Sequence, residues 1–211
     1  MYSGGRNVHR SVYIWQAASY AQGVTSTTRP RKAGAHDRLI AAAERLFYAE
    51  GIHAVGVERL CAEAEVSKRS LYQHFSGKDE VVTAMLHAQA ARFADQLVPD
   101  GHSPRERILA VFDALDQAAD SPDFRGCPFV GAASELKDRE HPAVQVASKQ
   151  KAALTEYFAE ALRAGGARKA DLLALQLTLI FDGASAYSMM RGEPTPATRQ
   201  AVETLLSAHG M

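Results

Sequence analysis

The chain has 211 residues, 46% of them hydrophobic, enough to bury one large core or two modest ones. Its 24 Lys and Arg balance 24 Asp and Glu, but residues 1–34 hold Arg6, Arg10, Arg29, Arg31 and Lys32 and no acid, leaving 19 basic against 24 acidic residues in the remainder. A globally basic coat is therefore excluded, and any nucleic-acid contact in the body must come from a local basic patch on an acidic background.

Residues 1–34 are rich in Ser, Thr, Gly and Arg without apolar periodicity and read as a flexible basic leader, either an arm that tracks an anion or a plain tail. Its most apolar stretch, SVYIWQAASYAQG, is interrupted by Gln16, Ser19 and Tyr20 and makes a poor signal-peptide core. From His36 onward helices follow one another. Leu39, Ile40, Ala43, Leu46 and Phe47 share one helical face, which Gly51 can terminate. Val57, Leu60, Cys61 and Ala64 define a second helix of about two turns. A third begins at Ser67, a good N-cap. A fourth opens after Ser76, where Ser76 and Asp79 form a candidate capping box, and runs through Val82, Met85, Leu86, Phe93 and Leu97.

Beyond Pro104 the chain again reads helical: Arg105 to Ala119, Phe129 to Lys137, a long segment beginning at His141, an apolar helix from about Lys169 to Arg191, and a last one from Pro196 to His209. The apolar helix contains Gln176, Asp182 and Gly183, which argue against a membrane span and for a helix buried on nearly all sides. No segment alternates with period two for long enough to form a strand. The expected fold is all-α with about nine helices.

The segment VSKRSLYQHFSGKDE crowds two aromatics, a histidine and three basic residues together. At about 100° per residue, Leu71 and Phe75 point the same way and form the buried pair. Arg69 and Gln73 then face almost opposite, flanked by Ser70 and Tyr72, with Lys68 and His74 at the edges. Two short helices joined by a tight turn around AEVS make a helix-turn-helix, whose second helix enters a DNA major groove. Arg69 is suited to pair bidentately with guanine and Gln73 with adenine. Ser67, Lys68, Ser70, Tyr72, His74 and Lys78 are suited to phosphates, which fix register without reading sequence.

Residues 39–86, LIAAAERLFYAEGIHAVGVERLCAEAEVSKRSLYQHFSGKDEVVTAML, resemble the DNA-binding domain of the tetracycline-repressor (TetR) family of transcriptional regulators. The likeness rests on Val66, Ser67, Lys68, Ser70, Leu71, Tyr72, His74, Phe75 and Lys78, after an alanine-rich first helix. It implies a helix-turn-helix domain at 35–82 and a helical effector-binding and dimerisation domain at 83–211. RGCPFVGAASE is similar to a Gly-Cys-Pro segment found in a subset of the family. Some positions depart from the pattern. Val55 and Gly56 stand where Thr or Ser usually caps the second helix and touches a phosphate, and Glu65 replaces the small or glycine residue of the turn, placing a carboxylate near the expected phosphates.

Elsewhere the bland reading competes with the sharp one. His74 has no histidine at i±3 or i±4 and no HExxH motif exists, so no metal is expected. Neither a nucleotide-binding loop nor GxSxG is present, so no cofactor or enzymatic activity is expected. Cys61 is core filler, and Cys127 is a pocket-lining or structural residue or, less readily, a redox switch. With no CxxC pair or disulfide framework, a reducing cytoplasm is the expected location. Phe112, Phe124, Phe129, Tyr157, Phe181 and Tyr187, with Cys127, either line a pocket for a small-molecule effector or are ordinary core. Gly183 and Ala186 permit close helix approach, so the last two helices, with Asp182 and Leu205, form the expected homodimer interface by pattern and by resemblance. Asp182 either pairs across that interface or faces a ligand.

The function expected is a homodimeric repressor that binds double-stranded DNA at a palindromic operator and is released by the effector. An enzyme in the C-terminal helices with the helix-turn-helix as scaffold, or a non-specific architectural DNA binder, are the rival readings. The acidic body argues against the second.

Overall fold

The structure, a computed structural model, describes residues 34–96 and 102–211. The basic leader, apart from Gly34, lies outside the described residues, as does Leu97. Among those described, nine helices and no strand are found: α1 (Ala35–Glu50), α2 (Val57–Glu63), α3 (Lys68–His74), α4 (Lys78–Gln96), α5 (Pro104–Ala119), α6 (Pro128–Leu136), α7 (Pro142–Ala164), α8 (Ala170–Arg191) and α9 (Pro196–Ala208). The all-α expectation holds.

The helices group into two compact units. One comprises the described residues up to Ala91 together with Arg125–Leu154. In it α1, α2 and α3 pack against one another around Leu39, Ala43, Leu46, Phe47, Leu60 and Leu71, all buried. The α1 stripe lies where its periodicity put it. Gly51 ends α1 at φ 90°, a conformation glycine adopts without strain, while a Cβ there would also lie 3.2 Å from Glu135 Oε2. At the start of α7, His141 Nδ1 accepts the Ala143 N–H at 3.1 Å, which leaves its Nε2 proton toward Asp79 Oδ2 at 3.7 Å.

The second unit comprises Arg92–Phe124 and Thr155–Met211. Here α5, α8 and α9 pack together, and a stack of Phe112 on Phe158 (ring centroids 5.8 Å), with Phe181 edge-on to Phe112 at 6.1 Å, fills the centre. Ser103 and Glu106 form a complete capping box for α5.

Two expectations are corrected. The carboxylate that closes the start of α4 is Glu80, not Asp79: the Ser76 N–H donates to Glu80 Oε2 at 2.6 Å. Because α4 begins at Lys78, the third residue of its first turn is Glu80. That bond, with help from the Ser76 side chain, also holds the Glu80 carboxyl below its usual range. Nor is α8 buried on nearly all sides within one chain. Leu173, Ala174, Leu177 and Phe181 face inward, but Leu172, Leu175, Leu179 and Met190 are exposed, Met190 at 71%. Their spacing of three, four and eleven residues places them on one face, so α8 carries two apolar faces and the chain covers one.

Candidate nucleic-acid interface

Helix α3 is short and is held from below. Leu71 is fully buried and Phe75 is 3% exposed, the inward pair expected of their spacing. The Phe75 ring also stacks on His36 at 5.1 Å, and His74 meets the same imidazole edge-on at 6.0 Å. Ser67 caps the helix, its hydroxyl accepting the Ser70 N–H at 3.1 Å. With its underside fixed, α3 turns Lys68, Arg69, Tyr72, Gln73 and His74 to solvent, with Ser70 half-buried beside them. Tyr72 is 56% exposed.

The turn between α2 and α3 explains Glu65. Its φ is 52°, in the left-handed region. Its N–H donates to Ala62 O at 3.2 Å and the Val66 N–H donates to Cys61 O at 3.0 Å, the paired bonds of a Schellman motif in which Glu65 holds the position usually given to glycine. The small residue expected here is thus a matter of backbone conformation. At the other end of α2, Gly56 is the N-cap and supplies no side-chain bond.

Charge on this module is mostly spoken for. Residues 35–82 hold Arg38, Arg45, Arg59, Lys68, Arg69 and Lys78 against Asp37, Glu44, Glu50, Glu58, Glu63, Glu65, Asp79 and Glu80. Arg45 bonds Glu63 at 2.9 Å and Arg59 reaches Glu50 at 3.4 Å. Lys68 bonds Glu58 on α2, which raises the lysine and lowers the glutamate from their usual pKa ranges through that hydrogen bond. Lys78 is engaged differently: its ammonium donates to the carbonyls of Ile52 (3.0 Å) and Val55 (3.3 Å), tying the start of α4 to the loop between α1 and α2. Neither partner of Lys68 or Lys78 was anticipated from sequence, since helix periodicity carries no information about which loop a long side chain reaches.

The remaining candidates are dispersed. Phe112 and Phe181 meet in the stack described above, and Phe124 is buried in the same unit. Tyr157 there is half-buried, with the Arg107 guanidinium 5.1 Å from its ring centre. Tyr187 lies on the surface at 47% exposure, under Arg191. Asp182 is half-buried, Gly183 and Ala186 are exposed, and Leu205 is half-buried on α9. A Cβ built on Gly183 would meet nothing within 4 Å. Cys127 and Phe129 belong to the other unit, where Cys127 is the N-cap of α6 and a buried free thiol. No group of His, Cys, Asp and Glu among the described residues is arranged to hold a metal.

Sequence reasoning also missed how α1 is tied to the segment before α6. Tyr48 donates to Gly126 O at 3.0 Å and accepts the Arg125 N–H at 2.8 Å, and burial pushes its pKa up to about 12. Glu135 accepts the His53 N–H at 3.1 Å. Burial would raise the Glu135 carboxyl, but the N–H groups of His53 and Ile52 outweigh it and hold the group below its usual range. Between these two clamps lies a cavity of about 110 Å³, bordered by α1, α4 and α6 and lined in part by Cys127.

A capped helix seated on two others and turning planar donors outward across a tight turn defines a helix-turn-helix module. Residues 39–85 match the family model of bacterial regulatory proteins of the TetR family, and the chain superposes with a TM-score of 0.80 on the crystal structure of a TetR-type transcriptional regulator from Streptomyces avermitilis, at 44% identity over 85% of this chain and 100% of that one. The protein belongs to the TetR family of transcriptional regulators. A second solved member, from Streptomyces coelicolor, is 29% identical with a TM-score of 0.78 over 86% of this chain and 92% of its own. An uncharacterised helix-turn-helix-type regulator of Mycobacterium tuberculosis is 29% identical over 92 residues, which cover 42% of this chain. The chain spans about half the length of that relative, 46%.

Proposed function

We propose that the protein is a homodimeric transcriptional repressor that reads a palindromic DNA operator with α3 and leaves it when a small-molecule effector binds among the C-terminal helices. The observation that carries the reading is the outward face of α3, where Arg69 and Gln73 stand exposed and unencumbered by core packing, on a chain of this family. A guanidinium and an amide one turn apart match the base edges of a major groove, while Ser70, Tyr72, His74 and Lys68 suit the phosphates beside it. Lys68 would exchange Glu58 for a phosphate on binding. Lys78, held by two carbonyls, would position the α1–α2 loop and aim whatever donor capacity remains toward the backbone. Nothing in this reading requires a cofactor or catalysis, and a cytoplasmic setting suits it.

The exposed face of α8 supports dimerisation. Leu172, Leu175, Leu179 and Met190, with Gly183 and Ala186 between them, form an apolar strip along one side of the helix. A second copy laid against α8 and α9 would cover it and present two α3 helices to successive major grooves, about 34–36 Å apart or somewhat more. An effector acts only through its preference for the released conformation, since equal affinity for both shifts nothing.

The test is selection of bound fragments from genomic DNA by the full-length protein, repeated with variants. Arg69→Ala and Gln73→Ala should relax sequence preference, and Lys68→Ala should weaken all duplexes alike with a shallower salt dependence. Equal loss of preference from all three variants would remove α3 from the groove. Leu179→Glu should yield monomers by light scattering, and an intact dimer would place the interface elsewhere.

A further inference from the structure

The cavity under α1 plays no part in the reading above, and its chemistry is specific. Its volume of about 110 Å³ is somewhat below the roughly 150 Å³ that admits benzene in an apolar core, so it accommodates about four or five heavy atoms. Its apolar wall comes from Phe47 and Met85, both at most 5% exposed, and from the ring of Tyr48. The polar lining is mostly acceptors. Glu44 and Glu135 stand against the single cation Arg125, giving an excess of one negative charge. The Tyr48 hydroxyl is already bonded on both sides by the backbone at Gly126 and Arg125. On α4, Gln89 also lines the cavity, and its Oε1 atom is buried without a hydrogen-bond partner in the chain. A buried acceptor in that state is unfavourable until a donor reaches it.

We propose that this cavity is a binding site for a small organic cation, a short-chain alkylammonium. Its N–H groups would bond Gln89 Oε1 and a neighbouring carboxylate, and its carbon chain would lie along Phe47, Tyr48 and Met85. An anion would face two carboxylates, and a purely apolar ligand would leave Gln89 unsatisfied. Aromatic faces beside the site favour a cation further. The site lies within the unit that carries α2 and α3, and it holds whether or not the operator reading does.

The experiment titrates butylammonium, and in parallel 1-butanol and butyrate, into the full-length DNA-free protein, followed by NMR of the Met85 methyl and the Gln89 side-chain amide. Saturable shifts with a millimolar Kd are expected for butylammonium, about what five heavy atoms can deliver. The alcohol should bind about tenfold more weakly and the anion not at all, the difference being the charge-assisted hydrogen bond. Gln89→Leu should raise the Tm, because it removes an orphaned acceptor, and lower butylammonium affinity by about fivefold or more. Gly131→Met should abolish binding, since Gly131 lines the cavity and a Cβ there meets nothing within 4 Å. The proposal is overturned if butylammonium gives no saturable shift, if butanol binds as tightly, or if Gln89→Leu keeps full affinity. Should Gly131→Met fail to fold, Gln89→Leu decides alone.

Discussion

Replacing Glu65 by glycine should stabilise the protein, opposite to the usual effect of adding a glycine. Glu65 sits at φ 52° beyond the end of α2, and the turn is closed by two backbone bonds, Glu65 N–H to Ala62 O and Val66 N–H to Cys61 O, which the substitution leaves intact. What it removes is a Cβ in the left-handed region, worth about 1–2 kcal/mol. The offset is the added freedom of glycine in the unfolded chain, about 0.4–1 kcal/mol. The balance is a gain of about 0.5–1 kcal/mol, or about 1–4 °C in Tm for a chain of this length. Thermal unfolding followed by circular dichroism at one fixed protein concentration measures it. Glu65→Ala is the decisive control, because it removes the carboxylate and keeps the Cβ. Its Tm should equal that of the unmodified protein or fall below it. If Glu65→Ala stabilised as much as Glu65→Gly, charge and not backbone conformation would be the cause, and the reasoning would be refuted. On the proposed function both variants should also tighten operator binding equally, most visibly at low salt.

Three other expectations concern the same unit. Gly51→Ala should cost about 1–3 kcal/mol by thermal unfolding, from a strained φ and a contact with Glu135, and the double variant Gly51→Ala/Glu135→Ala should recover only part of it. Lys78→Met leaves the carbonyls of Ile52 and Val55 without their donor and should lower stability by about 1–3 kcal/mol. An unchanged Tm would dismiss the structural role given to that ammonium. Tyr48, whose pKa is pushed up from 10.0 to about 12 by burial, keeps its proton in the folded chain after the unfolded chain has lost it. Its contribution is therefore complete below pH 10 and is lost between about pH 10 and 12, so Tyr48→Phe should show a shallower fall of Tm across that window.

How much of this was legible beforehand varies with the range of the interaction. The division of α3 into an inward Leu71 and Phe75 and an outward Arg69 and Gln73 follows from helical period alone, and the Ser67 cap from residue type. The start of α4 was misread by one carboxylate because capping depends on which residue first takes helical dihedrals, and Ser76 and Gly77 are nearly equivalent in sequence. The burial of α8 was misread because hydropathy measures how much surface wants cover, not whether the same chain supplies it. Lys78, Tyr48 and Glu135 find partners at loops and helix ends far along the chain, 77 or more residues away for the latter two, and no local pattern encodes such pairings. For the same reason Phe112 and Phe181 stand out in the sequence as aromatic candidates but not as one stack.

The ion pairs on the helix-turn-helix set how the protein would spend its time on a chromosome. With Arg45, Arg59 and Lys68 each matched to a glutamate, the module offers a duplex little uncommitted charge. On the proposed function, the contribution of this module to affinity for arbitrary sequence, which comes from phosphate neutralisation, would then be low. Such a protein is poorly retained by the great excess of irrelevant sites and lets go of them quickly, favouring a search by repeated three-dimensional encounter over long one-dimensional sliding. On the proposed function, a regulator built this way would need few molecules per cell to keep one operator occupied, because little of it would be lost to the rest of the genome.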